Sequence, residues 1–368
     1  MSARDAKQPD YVLAATIGIL VLFGLVMLAS AGAVLGLQRH GDSYYFLKRQ
    51  LLGLVVGVVA AWLVYRIDYH RWAKWAVPLF IASLIGLVIV FLPGIGSLFL
   101  GARRWIQLGP ILLQPSELMK FAIIAYLAVW FTQRERKLSD LNEGLFPFLI
   151  TLGSVAGLII LQPDLGTTMV IVLVGVVMFF VAGGATRHLA TIAVLGAALL
   201  AIVIAVAPYR AERFTVFLNP ELDPQGIGYH VQQSFLAIGS GGFFGLGLGH
   251  SRQKYNYLPE PAGDSIFAVM SEELGFFMSL LFIIAWLTII FRGIRVAQAA
   301  PDAFGRLVAT GITAWLGLQA FFNMAALAGL LPLTGIPLPF MSHGSSALVM
   351  NLVAAAVLLN ISRQTRTT

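Results

Sequence analysis

The sequence predicts an all-α polytopic integral membrane protein, with about ten transmembrane helices and a long extracytoplasmic loop between the seventh and eighth. Three observations carry that reading. Hydrophobic residues make up 58% of the 368-residue chain and charged residues only 11%, where a soluble domain carries about 25% charged residues. The apolar runs approach the roughly 20 residues that cross a hydrocarbon core as a helix. Lipid admits only helices or closed barrels, since backbone polar groups find no water there. The first run, Tyr11–Ser30, is apolar on every face and does not alternate as a barrel strand would.

In chain order the expected spans are Tyr11–Ser30, Leu51–Tyr65, Trp75–Leu92, Leu118–Phe131, Leu145–Leu161, Thr168–Ala182, Leu189–Ala207, Leu274–Phe291, Leu307–Leu330 and Ser346–Leu359. They are read as one domain covering 1–368. Ala29-Ser30-Ala31 looks like a signal-peptidase site. The apolar run before it exceeds the usual signal core of about 7–15 residues, so the first span is expected to stay uncleaved.

An even number of spans puts both termini on one side. Lys and Arg gather at alternate turns: Arg66, Arg71 and Lys74; Arg134, Arg136 and Lys137; Arg187; Arg292, Arg295 and Arg306; Arg363 and Arg366. The connections 162–167 and 331–345 carry none. The positive-inside rule then places both termini in the cytoplasm. The net charge of +7 follows mostly from this bias and does not mark a nucleic-acid surface. The absence of cysteine excludes disulfides and thiolate metal sites.

Four outer connections are left for chemistry: 93–116, 162–167, 208–266 and 331–345. The third is far longer than an ordinary connection, and loops of such length are usually functional or disordered. Its aromatics (Phe235, Phe243, Phe244, Tyr255, Tyr257) argue against disorder, and its glycines, from Gly239 to Gly249, permit sharp turns.

Acidic residues are scarce, so each is informative. Glu117 and Lys120 lie three apart at the start of the fourth span and share a helix face. They form either a stabilising ion pair or the wall of a polar cavity. Asp264 stands just before the eighth span. It suits a helix N-cap and equally a general base at the water–lipid boundary. Glu260 is the competing carboxylate, and Glu272 and Glu273 are expected to partner Arg or backbone groups. Arg103 and Arg104, beside Trp105, sit outside although the charge rule disfavours them there. Paired guanidiniums suit phosphate recognition, or simple anchoring at the interface. Arg210, Arg213 and Lys254 extend the same anionic site. His250 and His343 stand too far from other ligands to argue for a metal.

At these residues a resemblance becomes specific. Gln232-Gln233-Ser234, Ala237-Ile238-Gly239-Ser240-Gly241-Gly242, Gln253-Lys254, Leu258-Pro259-Glu260, Asp264 with Ile266-Phe267-Ala268-Val269, and Glu272-Glu273-Leu274-Gly275 form one block. Gln114-Pro115-Ser116-Glu117-Leu118 with Lys120 forms a second, Gln162-Pro163-Asp164-Leu165-Gly166-Thr167 a third, and Gly335-Ile336-Pro337-Leu338-Pro339-Phe340 with Ser342 a fourth. Together, in order along essentially the whole chain, they resemble the SEDS family (shape, elongation, division and sporulation), which includes RodA, FtsW and SpoVE. The chain departs from the family pattern at Ala262-Gly263-Asp264-Ser265, where His-Thr-Asp-Phe is frequent, and at Ser342-His343-Gly344-Ser345-Ser346, where Ser-Tyr-Gly-Gly-Ser is usual.

The resemblance implies a peptidoglycan glycosyltransferase of the bacterial inner membrane that polymerises lipid II during elongation or division. It implies a class B penicillin-binding protein as partner, and Asp264 as the general base. Arg103, Arg104, Arg210, Arg213 or Lys254 would then neutralise the leaving pyrophosphate, as would a divalent cation such as Mg or Mn. The alternative is a flippase for the same lipid-linked precursor, since glycine-rich helices and intramembrane charges also fit transport. Membrane lipid is a partner on either reading, and nucleic acid on neither.

Overall fold

The computed structural model describes residues 8–99, 102–108, 111–206, 208–223 and 225–365. The helices are α1 (Tyr11–Ala31), α2 (Ala33–His40), α3 (Tyr45–Arg66), α4 (His70–Ile89), α5 (Pro115–Gln133), α6 (Phe146–Leu161), α7 (Leu165–Val181), α8 (Thr186–Val206), α9 (Pro208–Leu218), α10 (Ile227–Ser240), α11 (Ile266–Gln298), α12 (Ala303–Leu327) and α13 (Ser345–Gln364). Among the described residues eight helical segments are long and apolar enough to cross a membrane: α1, α3, α4, α6 with the π-turn before it (Leu141–Leu161), α8, α11, α12 and α13. α7 is a shorter apolar helix. α5, which carries the charges of Glu117 and Lys120, is not one of the eight. Each of the ten expected spans overlaps one of these helices.

Helix starts follow local chemistry. Asp10 caps α1 by accepting from the Leu13 N–H at 2.9 Å, Asp164 caps α7 through Thr167, and Asp302 caps α12 through Gly305. Pro115 opens α5, where its missing N–H costs nothing. α12 and α13 are the most enclosed helices, whereas α8 is almost bare of protein contact and left to lipid. α13 packs along α3 at very short range. A Cβ on Gly53 would lie 2.8 Å from the Ser345 side chain, and one on Gly57 2.7 Å from Leu352. Small residues at such a seam let two helix backbones approach, which is the main source of packing energy between membrane helices.

The bundle has two unlike ends. At the end bearing the termini, Arg292 grips the Asp10 carboxylate through Nε and Nη2 at 2.7–3.0 Å, and the Asp10 N–H donates to Ser362. There too the Tyr69 hydroxyl meets Asp302, and the Asn360 amide holds the Tyr65 carbonyl. The opposite end carries the long connections and is called the loop face below.

Two connections on this face carry structure of their own. Within the all-α fold the 93–116 connection holds a small β-sheet. Gly96–Phe99, Ala102–Leu108 and Ile111–Leu113 pair antiparallel in the order β1-β2-β3, with Ser97 opposite Trp105 and Ile106 opposite Leu113. Strands of three to seven residues with a register shift at Ser97/Leu98 leave too little period-2 pattern to be read beside membrane spans. Likewise the 208–266 connection is largely helical, since α9 and α10 occupy its first half. The second half, 241–265, has no helix or strand.

Candidate functional site

The site is organised by two amides on α12. Gln319 and Asn323 are four residues apart, so they share one helix face, and both are buried. The Gln319 side chain donates to the Pro337 carbonyl at 2.8 Å. Asn323 donates to the Ile336 carbonyl at 2.8 Å and to the Asp264 carbonyl at 2.7 Å. One helix face therefore fixes the 335–340 loop and the turn that enters α11. Gln50 of α3 fixes the rest of that loop, donating to the Ser342 carbonyl at 3.0 Å and accepting from the Gly344 N–H at 3.1 Å. The His343 N–H in turn donates to the Ala262 carbonyl at 2.8 Å, joining the two loops.

Asp264 stands where they meet. It is half-buried, its Oδ1 is enclosed without a hydrogen-bond partner, and a Cβ at Gly335 would lie 3.5 Å from Oδ2. Asp264 is not the N-cap of α11; Ser265 holds that position. Removal from water, and then the neighbouring Glu260 charge, push the Asp264 carboxyl up to about 7. Its own backbone N–H and the Arg213 guanidinium oppose the rise without cancelling it. A carboxyl poised near neutrality, with a free oxygen, can take a proton from a hydroxyl.

Ser265 is held in turn. Its hydroxyl donates to the Pro259 carbonyl at 2.8 Å and lies 2.7 Å from His230 Nε2. Because the hydroxyl proton is committed to Pro259, His230 must donate through Nε2. Burial, and next the Arg213 charge, hold His230 down at about 4, so the ring is neutral.

Glu117 and Lys120 meet as expected, at 2.8 Å with both side chains 3% exposed. Lys120 also donates to Gln319 Oε1 at 2.8 Å and lies 4.9 Å from the centre of the Trp315 ring, whose Nε1 shares the same acceptor at 2.8 Å. Gln319 thus links the ion pair to the Pro337 carbonyl, and Asn323 links the next carbonyl to Asp264.

The cationic candidates separate. Arg213 on α9 is half-buried, donates to the Leu333 carbonyl at 3.3 Å, and is close enough to bias both Asp264 and His230. Arg103 is exposed on β2. Arg104 donates to the Gln162 carbonyl at 2.8 Å and to the Pro163 carbonyl, so its fork staples β2 to the α6–α7 turn. Lys254 is not a free cation either. It is 4% exposed and bound to Glu273 at 2.8 Å. The Arg210 side chain lies outside the described residues. Glu272 and Glu273 do serve as partners, as expected, but of Lys254, Ser30 and the 251–253 backbone and not of an arginine side chain.

Among the described residues no three His, Asp or Glu side chains gather as a metal site. Gln319, Asn323, His230 and Gln50 escaped the sequence reading. The two amides had a usable signal, since polar side chains four apart within an apolar span are costly unless they bind something.

Residues 10–367 match the family model for FtsW, RodA and SpoVE, described as "Cell cycle protein". Stage V sporulation protein E of Bacillus subtilis is 42% identical over 359 residues, covering 98% of each chain. A probable peptidoglycan glycosyltransferase FtsW of a Geobacter species is 42% identical over 363 residues, covering 99% of each. Among solved structures, a chain reported under "Structural coordination of polymerization and crosslinking by a peptidoglycan synthase complex" superposes with a TM-score of 0.81 at 28% identity. That match covers 97% of this chain and 98% of the other.

Proposed function

The chain belongs to the FtsW, RodA and SpoVE family, and from that premise we infer that it is a peptidoglycan glycosyltransferase, a multi-pass membrane enzyme that polymerises lipid II. It works from the outer face of the bacterial cytoplasmic membrane, with both termini in the cytoplasm, beside a class B penicillin-binding protein. The relatives named as glycosyltransferases and the likeness to a synthase-complex chain support this reading. The flippase alternative is not favoured by them.

The single observation that carries the chemistry is the Asp264 carboxyl: half-buried, with one oxygen unpartnered and its proton affinity raised to about 7. In the reaction the acceptor's sugar 4-hydroxyl oxygen bonds to the donor's anomeric carbon as the bond from that carbon to the pyrophosphate oxygen breaks. The hydroxyl proton passes to Asp264, and the polyprenyl pyrophosphate leaves from the opposite side, turning α into β. Arg213, facing Asp264 from α9, and the exposed Arg103 supply positive charge for the leaving group, and Arg210 extends it. A divalent cation bound to the pyrophosphate would add to that charge. The buried Glu117–Lys120 pair acts behind this centre, holding Gln319 and through it the 335–340 loop.

The test is direct. Purified protein incubated with lipid II, with and without its penicillin-binding partner, is expected to yield glycan strands. No polymer under either condition, with the protein folded, would refute the assignment.

A further inference from the structure

The segment 250–265 has no helix or strand of its own, yet it delivers Asp264. Something else must hold it. Its start is bound to two carboxylates one turn and a half inside α11. Glu272 accepts from the Ser251 hydroxyl at 2.5 Å, the Arg252 N–H at 2.9 Å and the Gln253 N–H at 3.3 Å. Glu273 accepts from Lys254 Nζ and the Ser30 hydroxyl at 2.8 and 2.6 Å. Lys254 Nζ completes its three donors with Ser30 Oγ at 2.9 Å and the Gly249 carbonyl at 2.7 Å. The Glu273 and Lys254 side chains are 0% and 4% exposed. Since the segment ends by running into α11 itself, both its ends sit on one helix, and Ser30 ties them to α1.

We propose that Lys254 and Glu273, with Ser30, form a buried lock whose task is to position the Asp264 segment, and that Lys254 acts through Glu273 and not on substrate. An ion pair so enclosed has no role as a mobile phosphate ligand, because all three ammonium protons are already committed. What it supplies is a fixed geometry for a loop that regular structure does not fix. The lock rests on the glycosyltransferase reading only for the rate it predicts; its structural part stands without it.

The rival is a direct contact. Lys254 also lines a cavity of about 130 Å³ with Leu35, Arg39, Asn256 and Glu260, where a pyrophosphate would have to reach it. Two variants separate the cases. If Lys254 positions, then Lys254→Met and Glu273→Gln each lower kcat about 10- to 100-fold, as loss of fixed geometry does, with little change in KM for lipid II. The double variant is then no worse than either single one, and Lys254→Arg recovers part of the rate. If Lys254 binds pyrophosphate, Lys254→Met raises KM and Glu273→Gln, which frees the ammonium, does not slow the enzyme.

A second readout needs no activity. The chain has no cysteine, so a nitroxide placed at the exposed Tyr257 by Tyr257→Cys reports this segment alone. Its spectrum is expected to gain a mobile component in Lys254→Met and in Glu273→Gln, while a label at Glu135→Cys on the far end stays unchanged. If the wild type makes no glycan, the functional reading fails and the label still tests the lock. An immobile Tyr257 label in both variants, or turnover kept in Glu273→Gln and lost in Lys254→Met, overturns the proposal.

Discussion

At the scale of single residues, the proton affinity of Asp264 makes the sharpest demands. A base works deprotonated, so with a carboxyl near 7 the turnover should rise through neutral pH and level off above it. Asp264→Asn keeps the shape and removes the base, and should cost about 10²–10⁴-fold in rate per folded molecule. Stability moves the other way. The folded-state value lies above the ordinary carboxylate value of 3.8, so the folded protein binds this proton more tightly than the unfolded chain. The stabilisation that proton gives is complete below the unfolded value and is lost as pH rises through the folded one. Asp264→Asn should therefore raise the melting temperature at pH 8 and lose that advantage as pH falls towards 4, which fluorimetry in detergent can follow. A variant melting below wild type at pH 8 would show that the carboxylate is stabilised where it stands. Asp264 stood out in the sequence as a candidate, with Glu260 as its competitor, because a carboxylate between a Pro-Gly turn and an apolar span is hard to overlook. Lys254 and Arg104 misled for a common reason: a charge on the correct face says nothing about whether a partner, Glu273 or the Gln162 carbonyl, has already taken it.

At the scale of elements, α5 and α11 carry the testable strain. On α5, removing one partner of the Glu117–Lys120 pair leaves a buried charge uncompensated, which costs about 3–5 kcal/mol. Glu117→Gln with Lys120→Met leaves none, and Gln319 keeps the Trp315 donor. The double variant should be more stable than either single one, and additive losses in the cycle would mean the two charges never meet. On α11 the helix breaks at Gly275, with φ +76°, and the glycine loop fills the break. Phe276 and Phe277 N–H groups donate to the Gly242 and Phe243 carbonyls, while Leu246 and Gly247 donate back to Glu272 and Glu273. A Cβ on Gly275 would lie 2.3 Å from the Gly245 nitrogen. Gly275→Ala meets both a backbone clash and a left-handed φ, which alone costs about 1–3 kcal/mol, so yield of folded protein should fall sharply. An unchanged melting point would show that the break relaxes. The glycine cluster announced turns in the sequence. Its pairing with a helix that starts two turns before the expected Leu274 could not be read, because those hydrogen bonds join segments far apart in the sequence.

At the scale of the whole molecule, the sequence pattern separates two ends and the structure gives each its work. Hydropathy and the alternating basic turns were legible because the bilayer imposes them on every span, whereas the small β-sheet was not, because nothing about lipid requires it. On the proposed orientation the basic residues at the end bearing the termini lie across the membrane from the centre around Asp264. Substrate and product of a polymerase stay on one face, so those residues should be silent once sidedness is abolished. In detergent, with lipid II and the penicillin-binding partner present, Arg134→Ala should therefore leave the rate of glycan formation within about twofold. Arg213→Ala removes a preorganised charge beside the base and should cost about 10²–10³-fold, as loss of one such electrostatic donor does. Arg104→Ala should fall between them and differ in kind, with fewer folded molecules but near-normal turnover in each, because its guanidinium is spent on the Gln162 and Pro163 carbonyls. A transporter would have to engage the pyrophosphate from both ends, and for it Arg134→Ala would be as damaging as Arg213→Ala. Equal losses from those two variants in detergent would reverse the assignment of work to the loop face.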